Sequence, residues 1–351
     1  MADPLRPARP AHPVRPAHPA RPVPPVRPAD EEGTAATAQA GERPGPGGPG
    51  GPDGRGGPGG SGGPNGRGGP GGSGGSGRGG GPGRAAEGVR AYWLIAGMWI
   101  RSTMAYRLSF AMTALGNLLT TALDFVAILL MFSRVDALGG YGLPEIAFLY
   151  ATSSTAFGLA DLALGNMERL GRRVRDGTLD TLLVRPVPVL AQVAADRFAL
   201  RRLGRIVQGL AVLGYAVAVL DVDWTAGKVL TVPVMVLSGA GIFCAVFLAG
   251  AAFQFLANDA AEVQNAFTYG GTTMLQYPPT VFAREMVRGV TFVLPLAFVN
   301  WLPGLYVLGR PYPLDLPRWV AFTPPLVAVA CCALAGLAWR AGLRSYRSTG
   351  S

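Results

Sequence analysis

The run Gly177-Thr178-Leu179-Asp180-Thr181-Leu182-Leu183-Val184-Arg185-Pro186 gathers the residue types best suited to a specific task. Thr178 can cap a short helix, with Asp180 near its positive end. Leu179, Leu182 and Leu183 would give that helix an apolar stripe. Arg185-Pro186 should end it, because the residue before proline disfavours helical geometry. A short capped amphipathic helix can dock in a groove of a soluble partner, or lie on its own bundle.

A second group consists of polar residues in apolar surroundings. Asp124 and Asp161 each interrupt a long hydrophobic run. A carboxylate at the centre of a bilayer costs about 2.5–3.5 kcal/mol on insertion scales, so it should face protein or water. Asp124 can line a cavity for a cationic or polar group, or serve as a hydrogen-bonded structural group. Asp161, closer to the end of its run, suits the structural role better. Gln254, Gln264, Asn265 and Gln276 can line a pathway or bond across helices. Asn258, Asp259 and Glu262 fit helix capping at a turn.

Other chemistries lack their residues. His12 and His18 are the only histidines, and both lie in a Pro/Gly-rich tail. The apolar body therefore offers no histidine for a zinc site or a serine relay. Lys228 is followed by valine, so no phosphate-cradling Gly-Lys-Ser/Thr loop is present. Leu237-Ser238-Gly239-Ala240-Gly241 faintly matches an ATP-cassette signature. It lies in an apolar run, where small residues serve close helix packing. Cys244, Cys331 and Cys332 have neither metal nor disulfide spacing and read as small buried residues. Hence the chain is not expected to be an enzyme, to hold a metal or cofactor, or to hydrolyse ATP itself.

The elements that position these residues follow from hydropathy. Charged residues make up 15% of the 351-residue chain, against about a quarter in soluble proteins. Residues 1–87 are rich in proline, glycine and arginine and cannot bury enough apolar area to offset ordering entropy, so a disordered tail is expected there. From 88 to 107, Trp93, Ile100 and Met104 recur at helical spacing among Tyr92, Trp99, Tyr106, Arg90, Arg101 and Arg107. That mixture suits a helix lying in the headgroup zone. Six uncharged or nearly uncharged stretches have the ~20-residue length needed to cross a bilayer: about 109–132, 144–165, 203–220, 229–256, 263–282 and 319–339. A further apolar stretch, 290–308, is broken by Pro295 and Pro303.

The arginines set the topology. They crowd the loop after the second crossing, from Arg169 to Arg205, and recur at Arg340, Arg344 and Arg347. By the positive-inside rule that loop and both termini should be cytoplasmic. Six crossings satisfy this placement, which makes 290–308 re-entrant. Arg284, Arg288, Arg310 and Arg318 then fall outside, against the rule. The net charge of +10 is explained by tail and span-flanking arginines, so nucleic acid is not expected as a partner.

The loop Gly177-Thr-Leu-Asp180 with Leu183-Val-Arg-Pro186 resembles that of the membrane subunits of type-two ABC exporters, in the branch of small six-span bacterial permeases. Gln276-Tyr-Pro278, Leu294-Pro-Leu-Ala-Phe298, Leu302-Pro303-Gly304 and the closing Tyr346-Arg-Ser-Thr-Gly350 also match. The resemblance covers about residues 88–351. It implies an interfacial first helix, six spans and re-entrant outer helices between the fifth and sixth. It further implies a homodimer, or a heterodimer with a related permease, working with separate ATPase subunits that hold ATP and magnesium. The residues Gly177, Thr178, Leu179, Asp180, Leu182, Leu183, Arg185 and Pro186 would form the coupling helix. Asp124, Gln264, Asn265 and Gln276 would be candidates for the translocation path. The expected protein is thus an all-α polytopic bundle in the bacterial inner membrane that exports an amphipathic, lipid-like or drug-like substrate. An ion-gradient-driven transporter and a non-transporting membrane anchor are the alternatives.

Overall fold

The computed structural model describes residues 82–196, 198–257 and 260–346. The tail up to residue 81, with His12 and His18, lies outside the described residues, as do Arg197, Asn258, Asp259 and the closing residues from Arg347. Among the described residues every named element is helical, and a single isolated bridge joins Leu138 to Tyr141.

Helix α1 (Pro82–Ala105) starts inside the predicted tail, so residues 82–87 are helical. Tyr106 breaks the helix, and α2 (Arg107–Phe132) follows. Helix α3 (Leu143–Leu164) is buried on nearly all sides. Three short helices come next: α4 (Leu170–Arg175), α5 (Thr178–Leu183) and α6 (Val189–Ala195). The long helices α7 (Leu203–Val219) and α8 (Ala226–Phe253) run back through the bundle. Helix α3 packs along both α7 and α8, and α8 packs along the last helix, α13 (Pro324–Ser345). Five helices are long and apolar enough to cross a membrane: those containing α2, α3, α7, α8 and α13.

The predicted fifth crossing is shorter than 263–282. It consists of α9 (Ala260–Asn265), a π turn (Ala266–Gly270) and α10 (Gly271–Leu275). Gln276-Tyr277-Pro278-Pro279 stops it, since two successive prolines remove backbone donors and fix φ. At 1.5 Å per residue this unit reaches about 24 Å, less than a full hydrocarbon core. The chain then forms α11 (Arg284–Arg288) with a second π turn, followed after Leu294-Pro295 by a 3₁₀ turn and α12 (Trp301–Leu308). The two halves, Arg284–Val293 and Leu296–Leu308, meet at 83°, and counted together as one broken span they would make a sixth.

Broken helices leave backbone carbonyls without partners, and these need side-chain donors when water is absent. Asn300 is fully buried and supplies two. Its Nδ2 donates to Leu275 O at the end of α10 (2.8 Å) and to Leu149 O in α3 (3.0 Å). The buried Trp301 donates from Nε1 to Tyr277 O at 2.9 Å. One asparagine and one tryptophan thus fasten the bent segment to α3 and α10. The small residues at 237–241 do serve packing. A Cβ on Gly239 would lie 2.9 Å from Val299 Cγ1 and 3.1 Å from Ala156 Cβ.

Four arginines that oppose the charge rule lie near α11 to α13, and two of them are paired. Arg310 makes a bidentate ion pair with Glu145 (Nε–Oε1 and Nη2–Oε2, both 2.8 Å) and lies over the Tyr141 ring at 4.9 Å. Glu145 Oε2 also accepts from Gly142 N at the start of α3 (2.9 Å). Arg284 approaches Asp315 at 3.8 Å. Glu145 stands at the first turn of α3 and the arginine-rich loop follows its last turn, so these pairs occupy the opposite end of the bundle from that loop.

Two outcomes are expected. Asn300→Ala should cost about 1–3 kcal/mol, because buried carbonyls lose their donor; a thermal melt in detergent measures this. Gly239→Val should cost about 1–3 kcal/mol by overpacking α8 against Val299 and Ala156, seen in the same melt.

Candidate functional site

The arginine-rich loop folds into a platform rather than a free segment. A 3₁₀ turn (Gly165–Arg169) extends α3, and α4 follows directly. Gly177 then adopts φ +65°, a left-handed conformation that favours glycine, and the chain reverses into α5. Gly177 is therefore the N-cap. Thr178 does not cap, contrary to expectation: its hydroxyl donates back to Arg173 O at 3.3 Å.

The apolar stripe divides. Leu179 and Leu182 are buried and join Met167, Leu170 and Val193 against α8 and α13, where Ala251 and Trp339 complete the cluster. Leu183, expected on the same stripe, is exposed together with Val184, Arg185 and Pro186. Leu179 lies between Leu182 and Leu183 on the helix surface, and the contact with α8 and α13 falls on the Leu182 side of it, which leaves Leu183 outside. One face of α5 therefore anchors it, and its last turn forms an exposed ridge.

Buried amides hold the platform in place. Gln192 Nε2 donates to Leu182 O (3.0 Å) and Val187 O (2.8 Å), carbonyls that the end of α5 leaves open. Asn166 Nδ2 donates to Ala194 O at 3.1 Å and also to Asp196 O. Gln254, nearly inaccessible at the end of α8, accepts from Gly171 N through Oε1. Its Nε2 donates to Gln264 Oε1 at 2.6 Å and to Met167 O at 3.4 Å. One glutamine thus connects the platform, the end of α8 and the broken α9–α10 unit.

Charge pairs add to this. Arg202 Nε lies 3.2 Å from Asp161 Oδ1, and its Nη1 donates to Asp161 O at 2.9 Å. Asp161 thus makes a structural contact, an ion pair with Arg202. Arg173 pairs with Asp196. Tyr346, just past α13, donates to Asp180 Oδ1 at 3.1 Å. Burial first, then the bond to Asp180, push the Tyr346 phenol upward, so it remains the protonated donor at neutral pH.

The four residues proposed for a path do not converge within one chain. Asp124 is on the exposed face of α2, beside exposed Leu123 and Val126. Gln264 is buried against Gln254. Asn265 is exposed, and Gln276, at the other end of α10, donates to Ser154 Oγ at 3.5 Å. Gln264 does line an apolar groove of about 390 Å³ between α8, α9 and α13, with Phe253, Val263, Phe267 and Leu334 among its walls. Glu262 is exposed on α9. Cys244, Cys331 and Cys332 are free thiols, the first two half-buried and Cys332 exposed, against the expectation that all three are buried. Among the described residues no cluster of three or more candidate ligands could hold a metal ion.

Sequence reasoning assigned no bonding role to Gln192, Asn166, Arg202 or Tyr346. Their partners are mostly backbone carbonyls and distant carboxylates, which leave no local pattern. Two roles stood open for Gln254, lining a pathway or bonding across helices, and its bonds to Gly171, Met167 and Gln264 are of the second kind.

No curated protein and no solved structure is significantly similar to the chain. The family model described as ABC-2 family transporter protein matches residues 118–350. The match begins in α2, later than residue 88, so α1 and the first turns of α2 precede it. With a crowded set of membrane-length helices, a helical platform at one end and this match over most of its length, the chain belongs to the ABC-2 transporter family and is the membrane permease of an ABC transporter.

Proposed function

We propose that this permease exports an amphipathic, lipid-like or drug-like substrate, and that the ridge Leu183-Val184-Arg185-Pro186 at the end of α5 receives the ATPase. The observation that carries the reading is the division of α5. Leu179 and Leu182 are buried in the permease while the next four residues stay exposed. A partner pressing on that ridge pushes a helix already fixed to α8 and α13. Force passes through packed side chains and through Gln192 and Gln254, since the helices have little room to deform independently.

The family implies a partner ATPase, and ATP with magnesium belongs on that subunit in this reading. ATP-driven closure of two ATPases would move two platforms together, which calls for a pair of permeases. Asp124 supports the pairing. A carboxylate exposed on an apolar face at membrane depth needs cover from protein or water, and a second chain, identical or related, can supply both. The loop arginines support a platform on the cytoplasmic side of the plasma membrane, with both termini on that side. The ion pairs of Arg310 and Arg284 lower the charge penalty at the other end. The bent Arg284–Leu308 segment is read as re-entrant from its 83° angle. The groove along Gln264 gives an apolar substrate a way in from the bilayer.

Two measurements test this. Leu183→Ala with Arg185→Ala should lower ATP-dependent transport at least tenfold in vesicles containing the cognate ATPase. Both side chains are exposed, so stability should change by less than about 0.5 kcal/mol. Normal transport by the double variant would remove the coupling role, and transport without nucleotide would favour an ion-driven mechanism. Asp124→Leu should leave ATPase co-purification intact while transport falls at least tenfold. Loss of co-purification instead would make Asp124 an assembly residue.

A further inference from the structure

The break between α1 and α2 forms an elbow with a groove of about 320 Å³. Trp99, Tyr106, Phe110 and Phe198 supply aromatic walls, Ser109 and Thr113 supply hydroxyls, and Arg201 stands at its edge. The groove contains no carboxylate. Arg201 is fixed in place by its backbone, because Asn117 Nδ2 on α2 donates to Arg201 O at 3.0 Å. A Cβ on Gly204 would meet Leu118 Cα at 3.6 Å, so the start of α7 sits close against α2 there. None of the four ion pairs among the described residues involves Arg201. Exposed Arg107 adds a second positive charge at the first turn of α2.

Depth identifies the occupant. The elbow is at the same end of the bundle as the platform, because Arg201 and Arg202 link the platform directly to α7. Tryptophan and tyrosine rings beside arginine are the composition of a headgroup layer, where rings tolerate both acyl chain and water. A guanidinium there matches a phosphate in shape and charge.

We propose that this elbow binds the headgroup of an anionic phospholipid. Arg201 contacts the phosphate, Ser109 and Thr113 offer hydroxyls to a polar headgroup, and one acyl chain runs down the exposed apolar face of α2. The site would tie the orientation of α1 to the lipid composition of one leaflet, independently of how the permease is energised.

The test is native mass spectrometry of the purified full chain, titrated with phosphatidylglycerol and with phosphatidylcholine of the same acyl chains. Phosphatidylglycerol should be retained preferentially. Arg201→Gln should lower its retention about fivefold, the increment for one basic side chain at an anionic surface. Thr113→Trp, which fills the groove without changing charge, should also lower it. Arg344→Gln, an exposed arginine at the end of α13, should not. Equal retention of the two lipids, or unchanged retention by either elbow variant, would overturn the proposal. Displacement of phosphatidylglycerol by inorganic phosphate would do the same, by showing a site for free anion.

Discussion

Hydrocarbon offers no hydrogen bonds, so every place where a helix stops at membrane depth must find its partners inside the protein. This chain stops its helices often, in the broken α10 segment and in the platform alike, and carboxamides make the repairs in both places. Asn300 closes the end of α10, and Gln192 closes the end of α5. Asn166 binds carbonyls at the end of α6, and Gln254 bonds to the backbone of α4. An amide is suited to the work because it donates and accepts without carrying a charge that would have to be desolvated. The irregular architecture depends on these few side chains more than on any single apolar contact.

The same economy shapes the ionic groups. Asp161 and Arg202 meet where α3 gives way to the platform, and Glu145 and Arg310 meet at the other end of α3. Both termini of the most buried helix therefore carry a neutralised pair. Removing one member of such a pair leaves the other uncompensated, which is costlier than never having had the pair. Helix α3 is thus pinned at both ends while α2, with most of its apolar surface uncovered, is left to contact lipid or a second chain.

Long apolar runs made the bundle legible. Helices α2, α3, α7 and α8 lie where uncharged stretches of membrane length predicted them, and the broken segment lies where Pro295 interrupts one. The fifth crossing was overestimated because hydropathy continues through Tyr277-Pro278 although the backbone cannot. The platform was legible as a helix but not in its orientation. Which leucine of 179, 182 and 183 points inward depends on where α8 and α13 end, and only tertiary packing fixes that. Thr178 was misread for a related reason: a left-handed glycine before it had already taken the capping position. Of the polar residues, Gln254 stood out by its apolar surroundings, although those surroundings did not choose between a pathway and a cross-helix bond. Gln192 and Tyr346 were not, because each acts on a backbone or carboxylate far along the chain.

Trp339 and Tyr346 lie beneath α5, although α5 is synthesised some 160 residues before them. A nascent chain whose last helix has not yet inserted therefore has no floor under its ridge. The surface of α5 is finished only once Trp339 and Tyr346 have been made. If that ridge is the docking surface proposed above, assembly depends on α13, and a copy that stopped before Trp339 would present no competent handle to sequester partner subunits.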